Sequence, residues 1–160
     1  MENGRARARS GAAPPHVDLS AGDAGYEPFE TRPDIGIHAW GPTRAESFVQ
    51  TALGVFALIA APGAVEPRDI REVRAQGQTP ETLLVNWINE CLYVHEIEGF
   101  VVQRVEVDTC ADGLVHGTLH GEEFNEARHR PGTVVKAATL HGVQVAQEAD
   151  RWTVSVVVDV

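Results

Sequence analysis

Lysine is nearly absent from this sequence. Of the 13 residues counted as lysine or arginine, only Lys136 is a lysine, and it lies in the segment His129–Thr139. Lysine is a compact, strongly hydrated cation whose pKa shifts on burial, whereas the planar guanidinium of arginine stays charged. Either the chain avoids lysine by chance, or it keeps Lys136 because a site needs an ammonium group.

Cysteine and long apolar runs are also scarce. Cys91 and Cys110 are the only cysteines, and they form no CxxC pattern, which is typical of reduced cysteines in a cytosolic protein. No segment approaches the roughly 20 apolar residues that a membrane-spanning helix needs. The N-terminal arginines precede a small, proline-rich stretch instead of the apolar segment of a secretory signal. We therefore expect a cytoplasmic protein with no membrane partner.

Positive charge is in deficit as well. The formal net charge is -10, and residues 1–25 are neutral, so the whole imbalance falls on the remainder of the chain. Direct nucleic-acid binding needs a basic footprint and is not expected here. The acidic balance fits a metal site or a protein partner with a basic surface.

The length of 160 residues suits one domain with a sizeable core. Residues 1–25 are rich in Arg, Ala, Gly and Pro without apolar periodicity, which predicts a disordered N-terminal tail followed by a domain over residues 26–160. The domain pattern predicts an α+β fold. We expect a two-layer domain with a mixed β-sheet of about six or seven strands and two main helices.

Two segments carry helix signals. Thr43 with Glu46 three residues later predicts a capping box at the start of the first helix. Thr79 as N-cap and Pro80 at the first helical position open the second helix, and Gly99 ends it.

Alternating apolar and polar residues predict the strands. The segments are 26–30, 35–40, 70–75, 100–108, 114–120, 136–147 and 152–159. The fourth and fifth should form a hairpin around Ala111–Gly113. The last strand places Asp159 at its tip, next to the carboxyl-terminal Val160.

Acidic groups at the two ends of the domain are candidate cation ligands. Taken alone, Asp34 is an ordinary turn carboxylate, and Asp159 with Val160 is an ordinary solvated strand end. If Asp34 and Asp159 lie on neighbouring strands, three carboxylates meet and repel, so one must take a proton or a cation must bind. Ca²⁺ or Mg²⁺ accepts such an all-oxygen set, and Lys136 could supplement the charge balance.

The histidines favour no shared metal site. His116 and His120 lie four apart on a predicted strand, roughly 13 Å at about 3.3 Å per residue, which is too far for one ion. The scattered histidines, including His129, are predicted to be surface or hydrogen-bonded residues. No GxSxG, P-loop or GxGxxG pattern marks a catalytic or nucleotide site.

Several ordered motifs together resemble the archease family, from about Tyr26 to Val160. The stretch around Lys136 is the most specific of them. In family order the matching segments are Phe29–Gly36, Ala39–Gly41, Trp87–Tyr93, His129–Gly142 and Trp152–Val160.

The resemblance implies a non-enzymatic accessory protein of the RtcB-type RNA ligase, which joins RNA ends in tRNA splicing and RNA repair. Archeases help load guanylate onto the ligase and keep it turning over. The family binds a divalent cation, seen as calcium, and Mg²⁺ or Mn²⁺ are the other candidates. The resemblance implies metal ligands at Asp34, Asp159 and Val160 and a functional lysine at Lys136.

One departure and two rival functions accompany this resemblance. Thr31–Pro33 stands where the family usually has His-Thr-Ala, so an imidazole beside Asp34 is lost and the guanidinium of Arg32 is gained. The first rival is a small metal-dependent enzyme that uses the aspartates and Lys136 on a phosphorylated substrate. The second is a chaperone-like binding module.

Overall fold

The computed structural model describes residues 22–31 and 34–160. Within them the chain forms two helices and seven strands. In chain order the elements are β1 (Gly25–Glu30), β2 (Ile35–Gly41), α1 (Arg44–Ile59), β3 (Asp69–Gln76), α2 (Pro80–Glu98), β4 (Phe100–Ala111), β5 (Leu114–Glu123), β6 (Ala137–Glu148) and β7 (Arg151–Asp159).

The strands form a four-stranded sheet in the order β1-β2-β7-β6 and a three-stranded sheet in the order β3-β5-β4. The α+β class, the two helices and the strand number confirm the sequence prediction. The arrangement differs from the single mixed sheet expected, because every pairing in both sheets is antiparallel. Short hairpin connections account for three of these pairings, β1–β2, β4–β5 and β6–β7. The other two, β2–β7 and β3–β5, join strands distant in sequence, which local alternation does not reveal.

The predicted helix caps are present, but the complete capping box forms on α2 and not on α1. The Thr43 side chain accepts a hydrogen bond from the Glu46 backbone N–H at 3.0 Å. The Glu46 carboxylate accepts from Gln50 instead of completing a capping box. The full box forms on α2, between Thr79 and Thr82.

Each helix packs against strands of both sheets, so the helices and sheets enclose one hydrophobic core. Helix α1 contacts β2 and β4, and α2 contacts β6 and β3. Trp87 of α2 is fully buried, and its indole N–H donates to the Phe48 carbonyl at 3.1 Å. A Cβ at Gly54 would lie 2.8 Å from Ile37, so glycine permits the close approach of α1 to β2.

Strand β6 lies at one edge of the four-stranded sheet and is interrupted. Its register with β7 runs to Thr139 opposite Val157 and resumes at Gln144 opposite Ser155. The intervening residues 140–143 bulge out of the ladder, with Gly142 at a φ of 72° and Leu140 exposed.

The sequence prediction assigns residues 1–25 to a tail, and residues 1–21 of it lie outside the described part of the chain. Strand β1 begins at Gly25, and Ala24 is buried. The Gly22 carbonyl accepts a hydrogen bond from Arg151 at 3.0 Å. Neither described helix has the length and apolarity required to cross a membrane.

Candidate functional site

Asp34 and Asp159 meet at one end of the β2–β7 ladder. The ladder ends with Ile35 opposite Val158, and continuing the same register by one step would set Asp34, the residue before β2, opposite Asp159. Directly opposite residues of an antiparallel pair share a face, with Cβ atoms about 4.5–5.5 Å apart. Both aspartates are half-buried. The fold thus brings together two acids that stand at opposite ends of the domain sequence.

Lys136 and Val160 lie one step further along the β6–β7 register, at the same end of the sheet. Ala137 lies opposite Asp159, and the next step in that register sets Lys136 opposite Val160. The Lys136 backbone N–H donates to the Asp159 carbonyl at 2.8 Å. We call Asp34, Lys136, Asp159 and Val160 the strand tip, and it contains every candidate site residue of the sequence analysis.

The charged side chains of the strand tip form no ion pair in the described part of the chain. None of the ion pairs there includes Asp34, Lys136 or Asp159. The Lys136 side chain is exposed to solvent. Two neighbouring carboxylates without a cationic partner repel each other, and a bound cation would relieve that repulsion.

The strand tip supplies fewer side-chain ligands than a complete metal cage. Among the described residues, no group of three or more His, Cys, Asp and Glu side chains is placed to hold a metal ion. A hard cation at the tip would need oxygen ligands besides the two aspartates, such as a terminal carboxylate, backbone carbonyls and water. Arg32 and Pro33, which depart from the family pattern, lie outside the described residues.

The loop before Lys136 is held by the end of α1. Gly132 and Thr133 donate backbone hydrogen bonds to the Ile59 and Leu58 carbonyls, both at 2.7 Å. The last carbonyls of a helix have no intrahelical partner, so the loop satisfies two of them. A Cβ on Gly132 would lie 2.1 Å from the Leu58 carbonyl oxygen, so a larger residue would displace the loop.

Asn89 of α2 holds the beginning of β6 in place by bonding to Ala138, two residues after Lys136. Its side-chain oxygen accepts from the Ala138 backbone N–H at 2.7 Å, and its side-chain nitrogen donates to the Ala138 carbonyl at 3.2 Å. The carboxamide therefore takes the place of a neighbouring strand at the sheet edge. Sequence reasoning missed this role, although a polar residue between the apolar positions Ile88 and Cys91 was a usable signal.

A second charged group lies at the base of the same loop, and sequence reasoning missed it too. We call Glu66, Glu122, Arg128 and His129 the Glu122 cluster. The carboxylate of buried Glu122 accepts from both terminal nitrogens of Arg128, at 2.6 and 3.0 Å. It also accepts from His129 Nε2 at 2.9 Å and from the Glu66 backbone N–H at 2.8 Å.

The hydrogen bonds of the Glu122 cluster determine its charge state. The Asn125 backbone N–H donates to His129 Nδ1 at 2.8 Å, so Nδ1 is the acceptor and the ring proton lies on Nε2, facing Glu122. The Arg128 hydrogen bonds, with smaller contributions from the Glu66 N–H and His129, lower the pKa of Glu122 to about 2. Glu122 is therefore an ionised and fully bonded carboxylate that holds the loop in place.

His116 and His120 face separate acidic partners on the exposed face of the three-stranded sheet. His116 lies between Asp108 and Glu72, at 2.9 and 3.0 Å, and His120 contacts Glu106 at 2.8 Å. Hydrogen bonds to Asp108 first, and then to Glu72, raise the pKa of His116. The two rings do not converge on one ligand position.

A cavity of about 410 Å³ opens beside Lys136, between α2 and the loop. Its walls are mostly apolar, and its polar groups come from three charged or ionisable side chains and one hydroxyl. The lining residues are Ile59, Leu92, His95, Glu96, Phe124 and the loop residues 131–136. We call it the α2 cavity.

The sequence of this chain matches a known protein family. Residues 26–160 match the model of the Archease protein family (MTH1598/TM1083). The chain is 32% identical over 139 residues to the protein archease of Pyrococcus abyssi (strain GE5 / Orsay), with 84% of this chain and 98% of the relative covered. It is 35% identical over 136 residues to that of Saccharolobus islandicus (strain M.14.25 / Kamchatka #1), with the same coverage.

Solved structures agree with the sequence relatives. The solution structure of Methanobacterium thermoautotrophicum protein 1598 has a TM-score of 0.70 at 30% identity, with 84% of this chain and 98% of that one covered. A crystal structure of an archease from Thermotoga maritima, described as a possible chaperone, has a TM-score of 0.54 at 18% identity, with 82% and 94% covered, and supports the fold alone. The chain belongs to the archease family.

Proposed function

We propose that this chain activates an RtcB-type RNA ligase in tRNA splicing and RNA repair, promoting guanylylation of the ligase and multiple turnover. Family membership supports the proposal. The observation that carries it is the register that sets Asp34 opposite Asp159 with Lys136 beside them. In this proposal the ligase performs the chemistry, and the chain itself is not an enzyme.

The strand tip would act through a divalent cation held by Asp34, Asp159 and the terminal carboxylate at Val160. Carboxylate oxygens suit a hard cation, with Ca²⁺ the first candidate and Mg²⁺ or Mn²⁺ the others. When bound, the cation would supply positive charge for phosphate oxygens. The exposed Lys136 ammonium could add a second contact to the same phosphate.

The charge of the chain fits a partner more readily than a nucleic acid. A net charge of -10 opposes direct RNA binding and favours a protein with a basic, RNA-binding surface. Such a pair would work in the cytoplasm, on RNA that the ligase holds.

A ligation assay with a purified RtcB-type ligase tests the proposal. The number of RNA molecules joined per ligase, and the fraction of guanylylated ligase, are measured with and without the chain. Addition should raise both, and Lys136→Ala should remove the effect. Lys136→Arg keeps the charge and replaces the compact ammonium with a planar fork, so we expect reduced activation.

One result would contradict the activator function, and another would contradict the need for a lysine at position 136. Unchanged guanylylation and turnover on addition of the unaltered chain would remove the activator function. Full activity of Lys136→Arg would show that positive charge alone suffices at this position.

A chaperone-like function is the second candidate. The Thermotoga maritima archease is described as a possible chaperone, and the α2 cavity gives this chain an apolar surface for other proteins. This function predicts suppressed aggregation of unrelated proteins, unaffected by Lys136→Ala. A metal-dependent enzyme, the third candidate, would instead release phosphate from a small substrate without any partner.

A further inference from the structure

The α2 cavity combines an apolar floor with an apolar rim that stands in solvent. Leu92 and Val135 are buried at its floor, at 5% and 8% exposed. Val134 on the loop lines the cavity and is 76% exposed. A small ligand in the floor would leave this rim side chain uncovered, whereas a protein surface would cover it.

The loop wall also offers unused backbone groups. In the described part of the chain, no hydrogen bond reaches the N–H groups of Val134 and Val135, although their neighbours Thr133 and Lys136 are both bonded. A protein segment brings backbone carbonyls that can accept from such N–H groups while its side chain enters a pocket.

The position and charge of the cavity indicate which partner covers it. Lys136 belongs to both the cavity wall and the strand tip, so a protein that reaches the tip also passes over the cavity. The lining carries one ammonium, Lys136, and one carboxylate, Glu96, which is exposed and has no ion-pair partner in the described part of the chain. With the net charge of -10, Glu96 favours a partner surface that brings a basic residue to the α2 wall together with a bulky apolar side chain.

We propose that the α2 cavity is the anchor site for the protein partner, and that it takes one aromatic or branched apolar side chain flanked by a basic residue. The inference rests on the proposed function, because it assigns the docking surface of the same ligase. It separates two roles on one face: the cavity supplies affinity, and the strand tip supplies the effect on the bound nucleotide.

Binding and turnover measured on the same variants test this division. A purified RtcB-type ligase is immobilised, the dissociation constant of the chain is measured by interferometry, and activation is titrated in the ligation assay. Val134→Asp places a charge on the cavity rim at a solvent-exposed position, where folding is retained. The matched control is Ile70→Asp, which makes the same change on β3 at a position 56% exposed and outside the cavity lining.

We expect Val134→Asp to weaken binding by about tenfold or more, and Ile70→Asp by less than about twofold. In the titration, Val134→Asp should raise the concentration for half-maximal activation and leave maximal activation at saturating concentration unchanged. Asp159→Asn should do the reverse, lowering the plateau with little change in affinity.

The outcomes separate the two proposals. Equal affinities for Val134→Asp and the unaltered chain, or equal weakening by both aspartate variants, would overturn the anchor site and leave the activator function standing. Binding without activation by the unaltered chain would overturn the activator function, and the binding arm would still decide the anchor site. Absence of any binding would overturn both.

Discussion

Two groups of carboxylates lie at opposite ends of the loop over residues 124–136, and they differ in how their charge is satisfied. In the Glu122 cluster, one buried carboxylate accepts hydrogen bonds from Arg128, His129 and the Glu66 backbone. At the strand tip, Asp34 and Asp159 lie side by side, and no described residue forms an ion pair with either. The Glu122 oxygens are already occupied by hydrogen bonds, whereas the oxygens of Asp34 and Asp159 remain available to a cation.

This contrast separates structure from function within one chain. A saturated carboxylate contributes stability, and its loss leaves buried partners unpaired. Two half-buried carboxylates that share no ion-pair partner are expected to repel each other, which makes them candidates to bind a cation. Substitutions in the two groups should therefore change different measured quantities.

The largest expected effect is on stability, from Glu122→Gln. The variant keeps the shape but loses the charge that Arg128 and His129 contact, so we expect a loss of about 3 kcal/mol in the free energy of unfolding. Urea denaturation measures it. The control is Glu106→Gln, whose exposed contacts with Arg104 and His120 should contribute much less than those of Glu122. Similar losses for both variants would contradict the distinction between a buried and an exposed carboxylate.

Protonation should remove the same charge without a mutation. The pKa of Glu122 lies at about 2, below its ordinary value, so its contribution is complete above the ordinary value and is lost as pH falls towards 2. The melting temperature should therefore fall more steeply with acid in the unaltered chain than in Glu122→Gln. Parallel curves for the two proteins would show that Glu122 does not carry this acid sensitivity.

At the strand tip the sign of the effect on stability should reverse. Asp159→Asn removes one of two repelling charges, so without divalent cation the melting temperature should stay constant or rise. Calcium affinity, measured by calorimetry, should fall by roughly tenfold or more. Asp150→Asn in the β6–β7 turn is the control and should leave affinity unchanged. Unaltered calcium binding by Asp159→Asn would exclude this carboxylate as a ligand.

The smallest expected effect is local, from Asn89→Ala. Losing both hydrogen bonds to Ala138 should cost about 1–2 kcal/mol and speed amide hydrogen exchange at Ala138 and Lys136. Asn86→Ala, one turn earlier on α2, removes a bond to the Gln76 carbonyl and serves as the control. If both variants speed exchange equally at Lys136, Asn89 is not what positions the lysine.

Local features of the fold were predictable because their causes are local. Thr43 and Thr79 begin helices and Gly99 ends one, each through contacts within four residues, so the sequence alone locates these helix boundaries. The number of strands follows from alternation in the same way. The pairing of strands depends on packing between distant segments, and for this reason the division into two antiparallel sheets was not foreseen.

The site divides along the same line. Lys136 was singled out as the only lysine, and Asp34, Asp159 and Val160 as acids at the ends of strands; the family resemblance supplied their roles. The condition that the aspartates flank neighbouring strands agrees with the observed pairing of β2 with β7. Asn89 and the Glu122 cluster were missed because their partners are remote in sequence. No residue near Asn89 indicates that its side chain bonds to the Ala138 backbone, and no residue near Glu66 indicates that its N–H bonds to Glu122.

The interruption of β6 has a consequence for self-association. An uninterrupted edge strand is a template on which a second chain can add, and such growth leads towards aggregates. Here residues 140–143 leave the ladder, and Asn89 occupies the backbone of Ala138, so no long unbroken row of donors and acceptors remains on that edge. The irregularity that carries Gly142 at positive φ thereby leaves the β6 edge without the continuous template that pairing with a second copy would need.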